Sequence, residues 1–213
     1  MKGITFDTSH SYDAWGLYLT DKEIGVPTPK TSKVDVEGAD GELDYTEYFG
    51  EVKYKNRVLK FTFEATPMTT AEFLDLISDI QDDIHGKLLK VALDDDPSYY
   101  YIGRALIADL THKKGIGTIK IEVEAEPYKL KKTATKVKRT VTGTSEIVLT
   151  NDRKTVVPTI TTTASMTIGF GSDIVSVNAG TFRLPQLQLV RGENRLTVTG
   201  TGDITFEYQE GRL

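Results

Sequence analysis

Residues 58–87 read VLKFTFEATPMTTAEFLDLISDIQDDIHGK, and within them the apolar residues change from alternate spacing to helical spacing. The alternating part places its apolar side chains at Leu59, Phe61, Phe63 and Ala65. Alternation with a period of two predicts an antiparallel strand that has one face in the core and one face in water. Residues 117–126, GTIKIEVEAE, repeat this pattern. The sequence therefore predicts a sheet that contains both strands.

The rest of the quoted stretch predicts one helix, over about residues 69–85. Thr69 and Glu72 fit a capping box, in which each side chain bonds the backbone N–H of the other residue. Gly86 is a natural helix stop. Apolar residues recur at helical spacing between these ends, at Phe73, Ile77, Ile80 and Ile84. One apolar stripe favours a helix that packs across the sheet over a helix that binds a partner.

A run of basic residues divides the chain into two predicted domains. Basic runs are typical of solvated linkers and edge strands, so we place the boundary there, with domains at residues 1–130 and 131–213. The second domain contains only short predicted strands rich in Thr, Val and Ile, separated by glycine turns, which is typical of a small β-sandwich. The predicted fold class is mainly β. The cations of the run are Lys129, Lys131, Lys132, Lys136, Lys138 and Arg139.

Composition narrows the classes of function. The 213 residues include no cysteine, which excludes disulfides, thiolate metal sites and a cysteine nucleophile. The net charge of −5 argues against nucleic acid as the main partner, because phosphate binding needs a surplus of Lys and Arg. No apolar run approaches the ~20 residues of a membrane helix. The first residues lack the apolar region of a secretory signal.

The stretch DDDPSYYYIGR, residues 94–104, has two interpretations. Three consecutive aspartates offer oxygen ligands to Ca²⁺, but neighbouring side chains cannot all point inward, and the alternating ligands of a calcium loop are missing. Asp and Pro-Ser are strong turn formers, which favours a hairpin tip between strands at 88–93 and 99–107. Tyr99 and Tyr101 then face one side of the outgoing strand and are candidates for a protein interface.

Neither the histidines nor the glycines predict catalysis. His10, His85 and His112 lack a second histidine at metal-ligand spacing, and no G-x-S-x-G elbow is present. The glycine pairs in GIGTIK and GFGSDI lead into strands, so they are interpreted as turns and not as phosphate loops. We therefore predict no catalytic residue, no metal and no cofactor.

Five segments together are similar to the distal tail proteins of siphovirus-type phages and of prophages in Gram-positive bacteria. They span nearly the full chain in order, although none is as specific as a metal signature. The segments are GITFDTSHSYDAWGLYLTD (3–21), YTEYFGEVKYKNRVLKFTFEA (45–65), TTAEFLDLISDIQDDIHGK (69–87), DDDPSYYYIGR (94–104) and LPQLQLVRGENRLTVTGTGDITFEYQEGRL (184–213).

The resemblance implies a structural protein of the virion tail tip that is made in the host cytoplasm. Members of this family form a six-membered ring that joins the tail tube to the hub or fibre protein. An N-terminal β-sandwich with one helix builds the ring, and a small galectin-like (jelly-roll) β-sandwich follows it. The family has no catalytic residues, so the resemblance implies that the chain is not an enzyme.

Aromatic residues with interleaved charge are candidates for the ring interface, because partly buried protein contacts favour this mixture. Ordinary core packing is the alternative for each of them. The candidates are Trp15, Tyr45, Tyr48, Phe49 and Tyr54, together with Tyr99 and Tyr101.

Two other functions stay open at this point. A β-sandwich at a phage tip suggests a carbohydrate-binding module, but sugar sites usually need an aromatic face, and the second half of the chain has no Trp. Its aromatics, Phe170, Phe182, Phe206 and Tyr208, mostly occupy alternating positions that suggest core. A wall hydrolase needs two carboxylates at a set distance, and no pair is marked by its context.

Overall fold

The computed structural model describes residues 2–48 and 50–213. The fold is mainly β, which confirms the predicted class. The chain forms two compact units, one of residues 1–129 with Leu213 and one of residues 130–212. No helix of the described residues is long and apolar enough to cross a membrane.

The first unit is built around one antiparallel sheet. Along its main path the strands lie in the order β2-β1-β7-β8-β9-β6-β3. The elements, in chain order, are β1 (Ile4–Phe6), β2 (Ser9–His10), α1 (Ser11–Trp15), β3 (Leu17–Ile24), β4 (Lys33–Asp35), β5 (Glu42–Asp44), β6 (Arg57–Ala65), α2 (Thr70–Ile84), β7 (Leu88–Leu93), β8 (Tyr99–Lys113) and β9 (Ile116–Ala125).

Strands β6 and β9 pair along their length and form the centre of this core. The apolar residues that alternate in the sequence are the buried ones, as the period of two predicts. The most deeply buried members of the two strands are Leu59, Phe61, Phe63, Ile119, Ile121, Val123 and Ala125.

Helix α2 confirms the helix prediction, including its first turn. The Thr69 side chain accepts a hydrogen bond from the Glu72 N–H, and the Glu72 carboxylate accepts one from the Thr69 N–H at 2.8 Å. The apolar stripe, at Phe73, Ile77, Ile80 and Ile84, is buried. The helix approaches the sheet closely at Gly117, where a Cβ atom would lie 2.2 Å from the Phe73 ring. A glycine is therefore required at that position of β9.

The second unit differs from the prediction of only short strands. Strands β11 and β16 are each 17 residues long and pair over their full length. Gly143 and Gly200 face each other in this pair with φ of 78° and 155°. These glycines let the long strands bend without ending, whereas the sequence pattern suggested turns.

The sheet of this unit has the order β14-β13-β16-β12-β15, and β11 pairs with β16. Its core consists mainly of Leu, Ile, Val and Phe side chains, among them Leu149, Ile160, Leu196, Val198, Ile204 and Phe206. The elements from residue 129 onward are β10 (Lys129–Lys131), β11 (Thr135–Asn151), β12 (Thr159–Thr162), β13 (Met166–Phe170), β14 (Asp173–Val177), β15 (Gly180–Arg183), β16 (Gly192–Tyr208) and β17 (Gly211–Arg212).

The basic run lies largely within β10 and β11, and most of its lysines pair with carboxylates. Because β11 pairs only with β16 among the described strands, it is an edge strand of its sheet. Charged side chains on an edge strand oppose uncontrolled strand addition. The ion pairs are Lys129–Asp96, Lys131–Glu210, Lys136–Glu207 and Lys138–Asp203.

Candidate assembly surfaces

The three aspartates of residues 94–96 lie in the turn between β7 and β8, which confirms the hairpin prediction. The Asp96 N–H donates to the Leu93 carbonyl at 3.0 Å, and the Tyr99 N–H donates to the Asp96 carbonyl at 3.1 Å. Each carboxylate has its own partners, so the three do not converge on one point. The partners are Gly3 N–H and His10 for Asp94, Lys2 and Lys22 for Asp95, and Lys129 for Asp96.

These separate partners favour a structural role for the three aspartates over a calcium loop. We call the ion pairs of Asp94, Asp95 and Asp96 the brace. Within residues 2–48 and 50–213, no group of three or more His, Cys, Asp or Glu side chains is placed to hold a metal ion. The brace ties the hairpin tip to the start of the chain and to β3.

Asp95 gives a prediction for the dependence of stability on pH. Hydrogen bonds from Lys2 and then Lys22 lower the pKa of Asp95 from 3.8 to about 2. A carboxyl group whose pKa is lowered by folding contributes stability above its ordinary pKa, and this contribution is lost as the pH falls toward 2. We expect Asp95→Asn to be less stable than the wild type at pH 6 and equal to it below pH 2. Thermal unfolding across this range measures both, and a constant difference between the two proteins would contradict the assignment.

The three tyrosines after the turn have different environments. Lys129 Nζ lies 4.7 Å from the centroid of the Tyr99 ring, and Lys90 Nζ lies 5.4 Å from that of Tyr100. Tyr101 is buried, with the Arg57 guanidinium 5.5 Å from its ring centroid. Because Tyr101 belongs to the core, we leave it out of the proposed interface and keep Tyr99 as a candidate.

Trp15 also belongs to the core of the first unit. It ends the five-residue helix α1, which the sequence did not predict, and its ring lies 5.9 Å from that of Phe6. Its indole Nε1–H donates to Asp83 Oδ2 at 3.2 Å. A buried tryptophan with a satisfied N–H contributes to packing, so Trp15 is left out of the proposed interface as well.

The histidines have local structural contacts. His10 caps α1, where its side chain accepts from the Asp13 N–H, and His85 accepts from the Ile107 N–H at 3.1 Å. The His112 ring stacks on Phe73 at 5.1 Å. These contacts account for each histidine without catalysis.

Tyr45 and Tyr48 lie on a hairpin that we name the arm, residues 31–52, of which the structure describes residues 31–48 and 50–52. The arm leaves the unit at Lys30, whose N–H donates to the Lys53 carbonyl at 2.8 Å. Strands β4 and β5 form a two-stranded sheet of their own. Phe49 was also predicted in this interface, but it lies outside the described residues.

The arm exposes apolar side chains that a stable hairpin would normally cover. All six residues of β4 and β5 are exposed, and Val34 faces Leu43 across the pair. Tyr48 is 72% exposed. An isolated two-stranded hairpin is marginally stable in water, because one thin sheet buries little apolar surface. The arm is therefore suited to being covered by another surface.

The arm is also the most acidic part of the chain. It holds seven carboxylates and one lysine, Lys33, whereas the whole chain has a net charge of −5. Lys33 pairs with Glu42 at 3.1 Å. With seven carboxylates and one lysine, the residues of the arm have a formal net charge of −6. The carboxylates are those of Asp35, Glu37, Asp40, Glu42, Asp44, Glu47 and Glu51.

Tyr54 lines an apolar cleft of about 570 Å³ in the first unit. The loop after β3 forms one wall, held against β6 by the hydrogen bond from Gly25 N–H to the Val58 carbonyl. Gly25 allows this approach, because a Cβ there would lie 2.5 Å from the Val58 oxygen. At the rim, Val26 is 87% exposed. Other lining residues are Ile24, Pro27, Pro29, Tyr101, Lys129 and Leu213.

Arg57 is a buried cation that lines this cleft. Only 6% of the residue is exposed, and burial lowers its pKa. One guanidinium nitrogen donates to the Pro127 carbonyl at 2.7 Å, whereas the buried Nε has no hydrogen-bond partner. Among the described residues no carboxylate lies within 4 Å of the guanidinium. The cleft thus combines apolar walls with a cation that contacts the Pro127 carbonyl and the Tyr101 ring but has no carboxylate partner among the described residues.

Sequence reasoning missed Arg57, although a signal for it exists. Arg57 lies in phase with Leu59, Phe61 and Phe63, so the alternation that predicts their burial also places Arg57 on the core face. A charged residue at a core position of a strand is rarely buried without a partner. A charged residue at a core-facing position of a strand is therefore a sequence signal that could have identified Arg57 as a candidate functional residue.

A shallow trough in the second unit bears on the carbohydrate alternative. It measures about 430 Å³ and is lined by threonines, glycines, Ile174 and Arg195. Arg195 is engaged by Glu146 and Glu193 at 2.5 and 2.9 Å. No aromatic ring is among the lining residues, so the stacking face that sugar sites usually have is missing there. Carbohydrate binding stays a prediction.

The fold of the chain is similar to that of phage proteins of known structure. Over all of both chains, the structure is similar to the Dit protein (gp 19.1) of phage SPP1, described as a paradigm of the hub adsorption apparatus in phages that infect Gram-positive bacteria, with 18% identity and a TM-score of 0.73. A chain of the phage p2 baseplate in its activated conformation is similar over 99% of this chain and 98% of its own, with 8% identity and a TM-score of 0.50. No protein-family model and no curated protein sequence matches the chain. At the level of the fold, these similarities confirm the resemblance to distal tail proteins.

Proposed function

We propose that this chain is a structural component of the tail tip of a long-tailed phage or prophage. In this role six copies form a ring that joins the tail tube to the hub or fibre protein. The chain acts by assembly, without catalysis or a cofactor, and its place is the virion tail tip.

The observation that carries the proposal is the similarity to SPP1 Dit over the full length of both chains. A match that covers both units in one chain order supports a shared architecture more strongly than a match to either β unit alone would, because small β-sandwiches serve many functions. The exposed acidic arm and the apolar cleft add support, since a ring subunit needs surfaces that only its neighbours satisfy.

The proposal predicts the mass of the purified protein in solution. We expect light scattering after size exclusion to give a species of six protomers, because heterologous contacts that close by rotation yield one defined ring. A protein that stays at 23.6 kDa at every concentration would contradict the ring. An open series of sizes without a plateau would contradict closure.

A further inference from the structure

We propose that the acidic arm of one protomer inserts into the Arg57 cleft of the next copy, so that each copy gives one arm and receives another. This inference rests on the proposed ring and names its contact. The arm is residues 31–52, and the cleft is the one bounded by Val26, Pro29, Tyr54 and Arg57.

The cleft is incomplete without an anion. Arg57 is only 6% exposed, its Nε has no hydrogen-bond partner, and no described carboxylate pairs with it. A buried charge without a counter-charge is costly, because the protein interior cannot replace the water that the ion has lost. Lys129, the second cation at the cleft, already binds Asp96 at 2.6 Å. A carboxylate from outside the unit would complete the site.

The arm offers the matching chemistry. In the β4–β5 pair, the apolar pair Val34–Leu43 lies between two charged pairs, Lys33–Asp44 and Asp35–Glu42, and three of these four charged residues are carboxylates. A segment of this kind can place apolar side chains against Pro27, Pro29 and Tyr54 of the cleft while a carboxylate reaches the guanidinium. Charge-assisted hydrogen bonds from arginine to a carboxylate are among the strongest available at an interface.

A second copy is the occupant that the chain itself favours. Every protomer carries both an arm whose two strands are exposed and a cleft whose Arg57 has no ion-pair partner among the described residues, and none of the residues that line the cleft belongs to the arm. A contact between two different patches of identical chains is heterologous, and repetition of such a contact produces a ring or a filament. Because each protomer has one arm and one cleft, every arm and every cleft in a closed ring is occupied.

The test uses two full-length variants that each disable one side of the contact. Val26→Asp places a charge at the rim of the cleft, and Leu43→Asp places one on the apolar face of the arm. Both positions are exposed, at 87% and 51%, so neither change should affect folding. We expect each variant alone to be monomeric, with self-association at least about tenfold weaker than in the wild type. Mixed in equal amounts, they should form a heterodimer that grows no further, because the intact arm of Val26→Asp enters the intact cleft of Leu43→Asp.

Ile174→Asp is the matched control, since Ile174 is 75% exposed but lies in the second unit. It should assemble like the wild type. The inference is overturned if the variants still assemble alone, or if the mixture stays monomeric, as it would if the cleft receives an acidic segment of another tail protein. The mass of the wild type tests the proposed function separately. If the wild type has six protomers but either of these results is obtained, the contact between arm and cleft is wrong and the proposed ring still stands.

Discussion

Phe61→Ala lowers the free energy of unfolding of the first unit by about 3–5 kcal/mol, the cost usual for removing a buried phenylalanine. Phe61 is 1% exposed, and its ring lies 6.2 Å from that of Phe6 and 6.4 Å from that of Phe63. Truncation to alanine removes the apolar contacts and leaves a cavity in the core of the first unit. Folded domains have only about 5–15 kcal/mol of stability, so the loss is large.

Urea unfolding followed by fluorescence measures this effect, because Trp15 is the only tryptophan and lies in the same core. Thr62→Ala is the matched control on the same strand, since Thr62 faces away from the core residues and is only partly buried. We expect the control to change stability by about 0.5 kcal/mol or less. Equal losses in the two variants would show that Phe61 does not pack as described.

Asn194→Leu has the second large effect, of about 2–4 kcal/mol, and it acts on the second unit. Asn194 is 3% exposed, and both the nitrogen and the oxygen of its side-chain amide form hydrogen bonds. Nδ2 donates to the carbonyls of Val190, Gly192 and Leu149 at 2.9, 3.2 and 3.3 Å, and Oδ1 accepts from the Val190 N–H at 2.9 Å. Leucine has a similar volume but removes all four bonds, of which the one to the Leu149 carbonyl is buried and the other three are partly buried.

The second unit has no tryptophan to report its unfolding by fluorescence. Hydrogen exchange of the backbone amides of β11 and β16 measures this loss of stability instead. Asn178→Leu is the control, because Asn178 is exposed. Protection that falls in Asn194→Leu and stays unchanged in Asn178→Leu is the expected result. Unchanged protection in both variants would contradict the role of the Asn194 bonds.

The sequence predicted those features that depend on neighbouring residues. The helix could be placed because its capping box and its apolar stripe lie within sixteen residues of each other, from Thr69 to Ile84. Strands β6 and β9 followed from the period of two, which reports which side chains face the core. The turn at residues 94–96 followed from aspartate and proline chemistry.

Features that depend on distant residues were missed. Strands β11 and β16 were expected to be short, because a glycine signals a turn in sequence, whereas Gly143 and Gly200 are paired across two long strands. Trp15 was predicted as an interface candidate, since its neighbours in sequence do not reveal the partners Phe6 and Asp83.

The proposed contact between the arm and the cleft was also beyond prediction, because it depends on residues that are distant in sequence. Aromatics and charges near Tyr45 and Tyr48 suggested an interface, but not a separate hairpin. The cleft is assembled from β3, β6, β8 and the residues that follow them, so no single segment of sequence describes it. Two of its lining residues, Tyr54 and Tyr101, were predicted as interface candidates, whereas Arg57 was missed.

Electron microscopy of the purified full-length protein tests the ring most directly. Class averages of the six-protomer fraction should show closed rings with six-fold symmetry and an open centre, because each copy offers one arm and one cleft to its neighbours. Separate particles, open filaments or rings with another number of copies would contradict the account.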